Sequence, residues 1–235
     1  MKYDTVIFDL DGTLLNTLDD LYLSVNYALA KYHYPARTKE EIRCFLGNGV
    51  RVLIEKSLPD DKSKLEEVIA EFKQYYKEHA SMHITKYEGI DELLTELEKL
   101  KIKVAVVTNK FDFAAKAIIQ TFFGNRFSVI IGDQPPLNRK PHPDMCNKAL
   151  AILESNPTTT IYIGDSEVDM KTAKNIGAFS VIGSWGFRTK EELIQAGVTN
   201  IIDYPLDLLK YLWKNKIFLD KILTWKSIYS KIMKL

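Results

Sequence analysis

Short runs of uninterrupted apolar residues, separated by helical patterns, limit what this chain can fold into more than any other feature. The runs are "TVIF" (5–8), "KVAVV" (103–107), "SVII" (128–131), "TIYI" (160–163), "FSVI" (179–182) and "NII" (200–202). They do not alternate apolar with polar residues, which is how parallel strands covered on both faces read. Helical periodicity fills the intervals near 89–100, 111–123, 143–153, 166–176 and 189–196. The alternation predicts an α/β fold, a doubly wound parallel-sheet (Rossmann-like) core.

Residues 16–83 break the rhythm, with helical periodicity and no strand signal. "TKEE" (38–41) has the form of a capping box, Thr38 answered by Glu41. Residues 60–80 read as a long amphipathic helix with Leu65, Val68, Ile69, Phe72 and Tyr76 on one stripe. The expected organisation is therefore a core from 1–15 and 84–212, an inserted all-helical module at 16–83, and a tail at 213–235.

The tail holds six lysines and one aspartate, a local charge of +5 in a chain whose net charge is +1. Its Leu219, Ile222, Leu223, Trp225, Ile228, Tyr229, Ile232 and Met233 recur at helical spacing. A basic amphipathic helix of this kind packs on its own core, on a second subunit or, less commonly, on an anionic membrane surface. A net charge near zero gives no field favouring nucleic acid. Two cysteines are too few for a disulfide framework, and neither a signal-peptide pattern nor a bilayer-length apolar stretch is visible. The expected location is a reducing cytoplasm.

Ligands of open α/β sheets bind at the carboxyl ends of the strands, so the residues following each run are the candidates. Asp9 and Asp11 follow the first run, Thr108 and Asn109 the second, and Gly164, Asp165, Ser166 and Asp169 the fourth. Lys140 lies in the proline-framed "RKPHPD" loop. Carboxylates, a hydroxyl, an amide and one ammonium suit Mg²⁺ and a phosphoryl group: the cation prefers carboxylate oxygens, and a carboxylate can attack phosphorus. Each motif alone has a simpler use. Asp-Gly is a common turn pair, "TN" suits a helix cap, and "GDSEVD" suits a helix N-terminus. Gly47 and Gly49 suit a tight turn. His33, His79, His83 and His142 show no metal spacing, and the tyrosines of 71–87 are expected to pack the helical module.

Taken together and in order, "DLDGT", the strand ending in "TN", the lysine of "KPHP" and "GDSEVD" resemble the four-motif signature of the haloacid dehalogenase-like superfamily, over residues 1 to about 212. The resemblance implies a nucleophilic Asp9 and a general acid–base Asp11. It implies that Thr108 and Asn109 orient phosphoryl oxygens and that Lys140 balances charge. Mg²⁺ would be held by Asp9, Asp165, Asp169 and the Asp11 carbonyl. An aspartate at position 11 points to a phosphatase or phosphomutase, since the dehalogenases of the superfamily lack it and its transport ATPases carry threonine. The insertion looks like the family's cap domain. "FLGNGVRVLIEKSL" (45–58) and "SWGFRTKEEL" (184–193) resemble phosphoglycolate phosphatases, with Gly47, Asn48 and Gly49 in the substrate-reading segment and Arg51 expected to meet a substrate carboxylate.

The expected activity is Mg²⁺-dependent hydrolysis of a small phosphorylated substrate, with 2-phosphoglycolate first. Pyrophosphate, nucleoside monophosphates and sugar phosphates are alternatives, as is a β-phosphoglucomutase-like phosphomutase. A receiver-type phospho-aspartate switch is the alternative of a different class, disfavoured by Asp11, the insertion and "GDSEVD".

Overall fold

The computed structural model describes residues 2–79 and 81–212; the 213–235 segment, with the packing and membrane roles expected of it, lies outside the described residues. The chain opens with β1 (Thr5–Phe8) and the two-residue β2 (Leu15–Asn16), then four helices: α1 (Leu18–Lys31), α2 (Lys39–Phe45), α3 (Val50–Ser57) and α4 (Leu65–His79). After β3 (Thr85–Lys86) it alternates through α5 (Ile90–Lys99), β4 (Lys103–Phe111), α6 (Asp112–Phe123), β5 (Val129–Asp133) and α7 (Asp144–Leu153). It continues with β6 (Thr160–Gly164), α8 (Glu167–Ile176), β7 (Phe179–Gly183), α9 (Lys190–Gln195), β8 (Ile201–Ile202) and α10 (Leu209–Leu212).

Six strands form a parallel sheet in the order β5–β4–β1–β6–β7–β8. β1 is central, and the chain winds outward from it first on one side and then on the other. The carboxyl ends of β1, β4 and β6 thus meet at the topological switch point, where such sheets bind ligands.

Side-chain alternation explains why the apolar runs are continuous. Val6 and Phe8 of β1 join the cluster containing Leu93 and Leu97 of α5 and Ile118 and Ile119 of α6. Ile7 joins the opposite cluster with Met145 and Leu150 of α7 and Ala173 of α8. β6 repeats this, with Ile161 and Ile163 on one side and Tyr162 on the other. A strand buried on both faces reads as a nearly continuous apolar run, with buried Thr5 and Thr160 at the starts of β1 and β6. Each such side chain taken out of water contributes about 1.5–3 kcal/mol.

The helices α1–α4 have a cluster of their own, including Val25, Leu29, Ile42, Leu53, Ile54 and Phe72, which also takes in Ala114 and Phe187 from the sheet-bearing part. The capping box at α2 is present: Thr38 accepts from the Glu41 N–H while the Glu41 carboxylate accepts from the Thr38 N–H at 2.7 Å. Two details differ from expectation. β2 and β3 pair antiparallel across the entry to and exit from the helical segment, and two residues each are too few for any periodic signal. β4 does not stop at Val107 but runs to Phe111 through an irregularity between those residues, so Thr108, Asn109 and Lys110 occupy a kinked strand end.

Thr38→Ala is expected to cost about 1 kcal/mol by removing the α2 cap. For a chain of this size that is a fall in Tm of about 2–4 °C, which differential scanning calorimetry would measure.

Candidate active site

The sheet's carboxyl edge collects acid. Asp9 leaves β1 with its N–H bonded to the Ile163 carbonyl of β6 at 2.9 Å, which ties the ends of the two strands together. Asp165 and Asp169 follow β6. Oxygens of Asp9, Asp165 and Asp169, all buried, lie within 4.8 Å of one another. Three buried carboxylates repel strongly unless cations intervene. Lys140 is one: its Nζ lies 2.8 Å from Asp9 Oδ1 and 2.8 Å from Asp169 Oδ1 and is almost wholly buried. The balance still falls short. Burial pushes the Asp9 carboxyl up to about 6 against the pull of Lys140, with Asp169 and Asp11 adding to the rise. Burial lifts Asp165 well above the usual carboxylate range, and Asp169 and Asp9 lift it further.

Local structure holds each acid in place. Asp169 is the third residue of α8. Its Oδ2 accepts from the Ser166 hydroxyl at 2.6 Å and the Ser166 N–H at 3.1 Å, so the helix-capping and acidic-cluster readings of "GDSEVD" coexist. Asp165 Oδ2 accepts the Phe187 N–H at 2.7 Å. Gly12 and Gly164 are required by space. Gly12 has φ +85°, and a Cβ there would fall 2.3 Å from Asp165 Oδ2; one on Gly164 would fall 2.1 Å from Asp169 Cγ.

Asp11 stands apart from the triad. Its Oδ1 accepts from Thr17 Oγ1 and Lys110 Nζ, both at 2.8 Å. Burial lowers the Lys110 pKa, but Asp11 and Tyr76 more than offset it, so the ammonium is retained. Thr108 is buried and its hydroxyl accepts the Lys110 N–H at 3.2 Å. The Asn109 side chain is committed to protein: Oδ1 accepts from the Lys140 N–H at 2.8 Å, and Nδ2 donates to the carbonyls of Lys140 and Gly47 at 3.1 and 3.0 Å. It splices the Lys140 loop to the helical segment rather than turning its amide to a phosphoryl group.

These groups open onto a cavity of about 60 Å³ between the sheet edge and the helices, lined by Asp9, Asp11, Thr108, Asn109 and Asp165 on one side. Gly47 and Gly49 line it; Asn48 and Arg51 do not. Arg51 instead pairs with Glu66 on the half-exposed outer side. The reason is helical register. Leu53, Ile54 and Ser57 form the buried stripe of α3, and Val50, one turn before them, lines the cavity; the position after Val50 is rotated by about 100° and faces out. Sequence reading missed Lys110, Tyr76 and Arg188, which all line the cavity. Lys110 follows "TN" directly, and reading one residue further past the strand end would have found it. Arg188 donates to the carbonyls of Leu46 and Arg43 at 2.9 and 3.2 Å and pairs with Glu167 at 3.2 Å. No helix among the described residues is long and apolar enough to cross a membrane.

A parallel sheet with an acidic, lysine-balanced cluster at its switch point, roofed by inserted helices, defines a class. Residues 6–182 match the model of the haloacid dehalogenase-like hydrolases, and the chain belongs to that family. Pyrophosphatases PpaX from Bacillus mycoides (strain KBAB4) and Bacillus cereus (strain Q1) are each 30% identical to it over 213 residues, covering 90% of this chain and 98% and 97% of theirs. A provisionally assigned phosphoglycolate phosphatase from Lactobacillus delbrueckii subsp. bulgaricus superposes with TM-score 0.85 at 30% identity, covering 92% of this chain and 100% of that one. A phosphatase from Haemophilus somnus, named as a predicted phosphoglycolate phosphatase, gives 0.82 at 28% identity over 91% and 99%. The chain is a phosphatase-type hydrolase.

Lys140→Met leaves Asp9 and Asp169 buried without their shared cation. The expected loss is roughly 3–5 kcal/mol at neutral pH, read from urea denaturation in metal-free buffer.

Proposed function

We propose that the protein hydrolyses 2-phosphoglycolate through a phospho-Asp9 intermediate, with Mg²⁺ as its metal. The observation carrying this reading is the setting of Asp9. Its buried carboxylate has oxygens of Asp165 and Asp169 within 4.8 Å, and Lys140 Nζ, 2.8 Å from its Oδ1, is its cationic partner. A carboxylate crowded against two others at the sheet's switch point is suited to a metal and to attack on phosphorus. The donor set fits as well: Mg²⁺ takes a few carboxylate oxygens and keeps waters, and Asp9, Asp165 and Asp169 would hold it. When bound, it would neutralise charge developing on the phosphoryl oxygens.

The chain's own residues then divide the work. An Asp9 carboxylate oxygen attacks phosphorus as the ester oxygen departs. Lys140, already against Asp9, offsets the negative charge gathering there. Asp11 delivers a proton to the departing oxygen, then takes one from the water that cleaves the acyl phosphate. Thr17 and Lys110 both grip its Oδ1, which leaves Oδ2 to carry the proton.

The phosphoglycolate phosphatase names of the structural neighbours at 30% and 28% identity support the substrate. Pyrophosphate is the second reading, favoured by the PpaX relatives at 30% identity. Phosphate release from both compounds, with Mg²⁺ and with EDTA, decides between them. A higher kcat/KM for pyrophosphate would reverse their order, and release unaffected by EDTA would refute the metal.

Asp9→Asn is expected to reduce release to background, and Asp11→Asn to slow kcat about 10²- to 10⁴-fold, with circular dichroism unchanged. Wild-type rates in either variant would refute the assigned roles.

The raised Asp9 and Asp165 pKa values set a pH signature. A carboxyl whose folded pKa lies above its unfolded value favours the fold while protonated. For Asp9 this contribution is present below about 4 and lost as pH rises through about 6. Bound Mg²⁺ compensates most where the carboxylates are ionised. The rise in Tm on adding Mg²⁺ is therefore expected to be larger at pH 7.5 than at pH 5; equal shifts would contradict the site.

A further inference from the structure

The cavity is built from two unlike halves. The side provided by α1–α4 is apolar: Leu21, Leu46, Val50, Leu53 and Phe72 line it, and Tyr76 of α4 is the one polar side chain among them. That hydroxyl is buried with Lys110 on its acceptor side, and no acceptor for its own proton is found among the described residues. Its ring is fixed by stacking on Phe72, centroids 5.5 Å apart. Lys110 Nζ lies 4.8 Å from the Tyr76 ring centroid, but an ammonium only donates, so the phenolic proton still lacks an acceptor. A buried hydroxyl left in this state is destabilising unless a ligand or water completes it.

The cations at the cavity are not equally available. Lys140 is held between Asp9 and Asp169. Arg188 is spread over the Leu46 and Arg43 carbonyls and Glu167. Arg51 faces outward to Glu66. Lys110 gives one proton to Asp11 and stands against Tyr76, with no second carboxylate on it among the described residues.

Resting on the hydrolase reading above, we propose that the Tyr76 hydroxyl and the Lys110 ammonium form the subsite for the leaving group, and that it takes an anionic oxygen carried a few bonds beyond the ester oxygen. The carboxylate of 2-phosphoglycolate and the distal phosphate of pyrophosphate share this chemistry. Tyr76 donates its unmatched proton to that oxygen and Lys110 supplies the opposite charge, while the apolar wall excludes water and strengthens both contacts. The charge of the leaving group is thus read by a cation from the sheet side and a phenol from α4, and not by Arg51.

The test uses 2-phosphoglycolate, pyrophosphate and 2-hydroxyethyl phosphate, the neutral-leaving-group counterpart of the first, in which an uncharged hydroxymethyl replaces the carboxylate. Wild-type protein that hydrolyses all three with equal kcat/KM would refute the anionic-substrate reading itself, and this subsite with it. Where wild-type protein discriminates, Tyr76→Phe is expected to narrow the ratio of kcat/KM between an anionic substrate and the neutral one by roughly ten-fold or more, mainly through KM. Narrowing for 2-phosphoglycolate alone, or for pyrophosphate alone, identifies the anion and supports the subsite. An unchanged ratio for both would overturn it while leaving the phosphatase reading intact. The substrate-free Tm of Tyr76→Phe is a second readout. Loss of an unmatched hydroxyl should leave it equal or higher, and a fall of more than about 4 °C would make the hydroxyl structural and overturn the proposal.

Discussion

The placement of one ammonium governs this structure. Lys140 Nζ stands 2.8 Å from both Asp9 and Asp169 in a region almost closed to water, where an unpaired charge costs several kcal/mol and an unrelieved pair of like charges costs more. Everything that fixes Lys140 therefore fixes the site. Asn109 accepts from its backbone N–H and donates to its carbonyl, so the end of β4 holds the loop before α7 in register. The Tyr162 ring lies below it, 5.6 Å from Nζ. The sheet supplies the rest: β1 lies between β4 and β6 and pairs parallel with both, which brings the carboxyl ends of these three strands side by side.

The helical insertion is bound to the same construction at a second point, the residue Phe187. Its N–H donates to Asp165 Oδ2, its carbonyl accepts from Arg43 of α2, and its ring is buried in the cluster of α1–α4. Arg43 also reaches Glu192 at 3.1 Å, and hydrogen bonds from Arg43 hold that carboxyl well below its usual range. Arg188 reciprocates by donating to the Leu46 and Arg43 carbonyls. One residue therefore touches an acid of the triad through its N–H and the insertion through its carbonyl and ring.

What the sequence made legible follows from the range of each interaction. Strand burial on both faces writes itself as an unbroken apolar run, and the strand ends then name Asp9, Asp11, Thr108, Asn109 and Asp165 by position alone. Asp169 was legible because it serves as the third residue of a capped helix as well as a member of the cluster. β2 and β3 were not legible, since two residues carry no period. Nor was the commitment of Asn109, because its partners at Gly47 and Lys140 are 62 and 31 residues away and nothing local records them.

Arg51 and Tyr76 show the limit from opposite directions. Helical register alone turns Arg51 outward, since Leu53, Ile54 and Ser57 set the inward stripe of α3; that much is available from periodicity. Tyr76 sits on the inward stripe of α4 with Val68, Ile69 and Phe72, and periodicity correctly predicts that it is buried. It is silent on whether the hydroxyl finds a partner, because that depends on which residue of another segment lies opposite. An apolar stripe thus fixes where a phenol goes, while the lack of an acceptor across the gap among the described residues is what the proposed subsite uses. The chemistry at the sheet edge comes from residues whose position in the chain dictates their position in space. The proposed reading of the leaving group depends instead on what the sheet edge and the helical face leave unmatched between them.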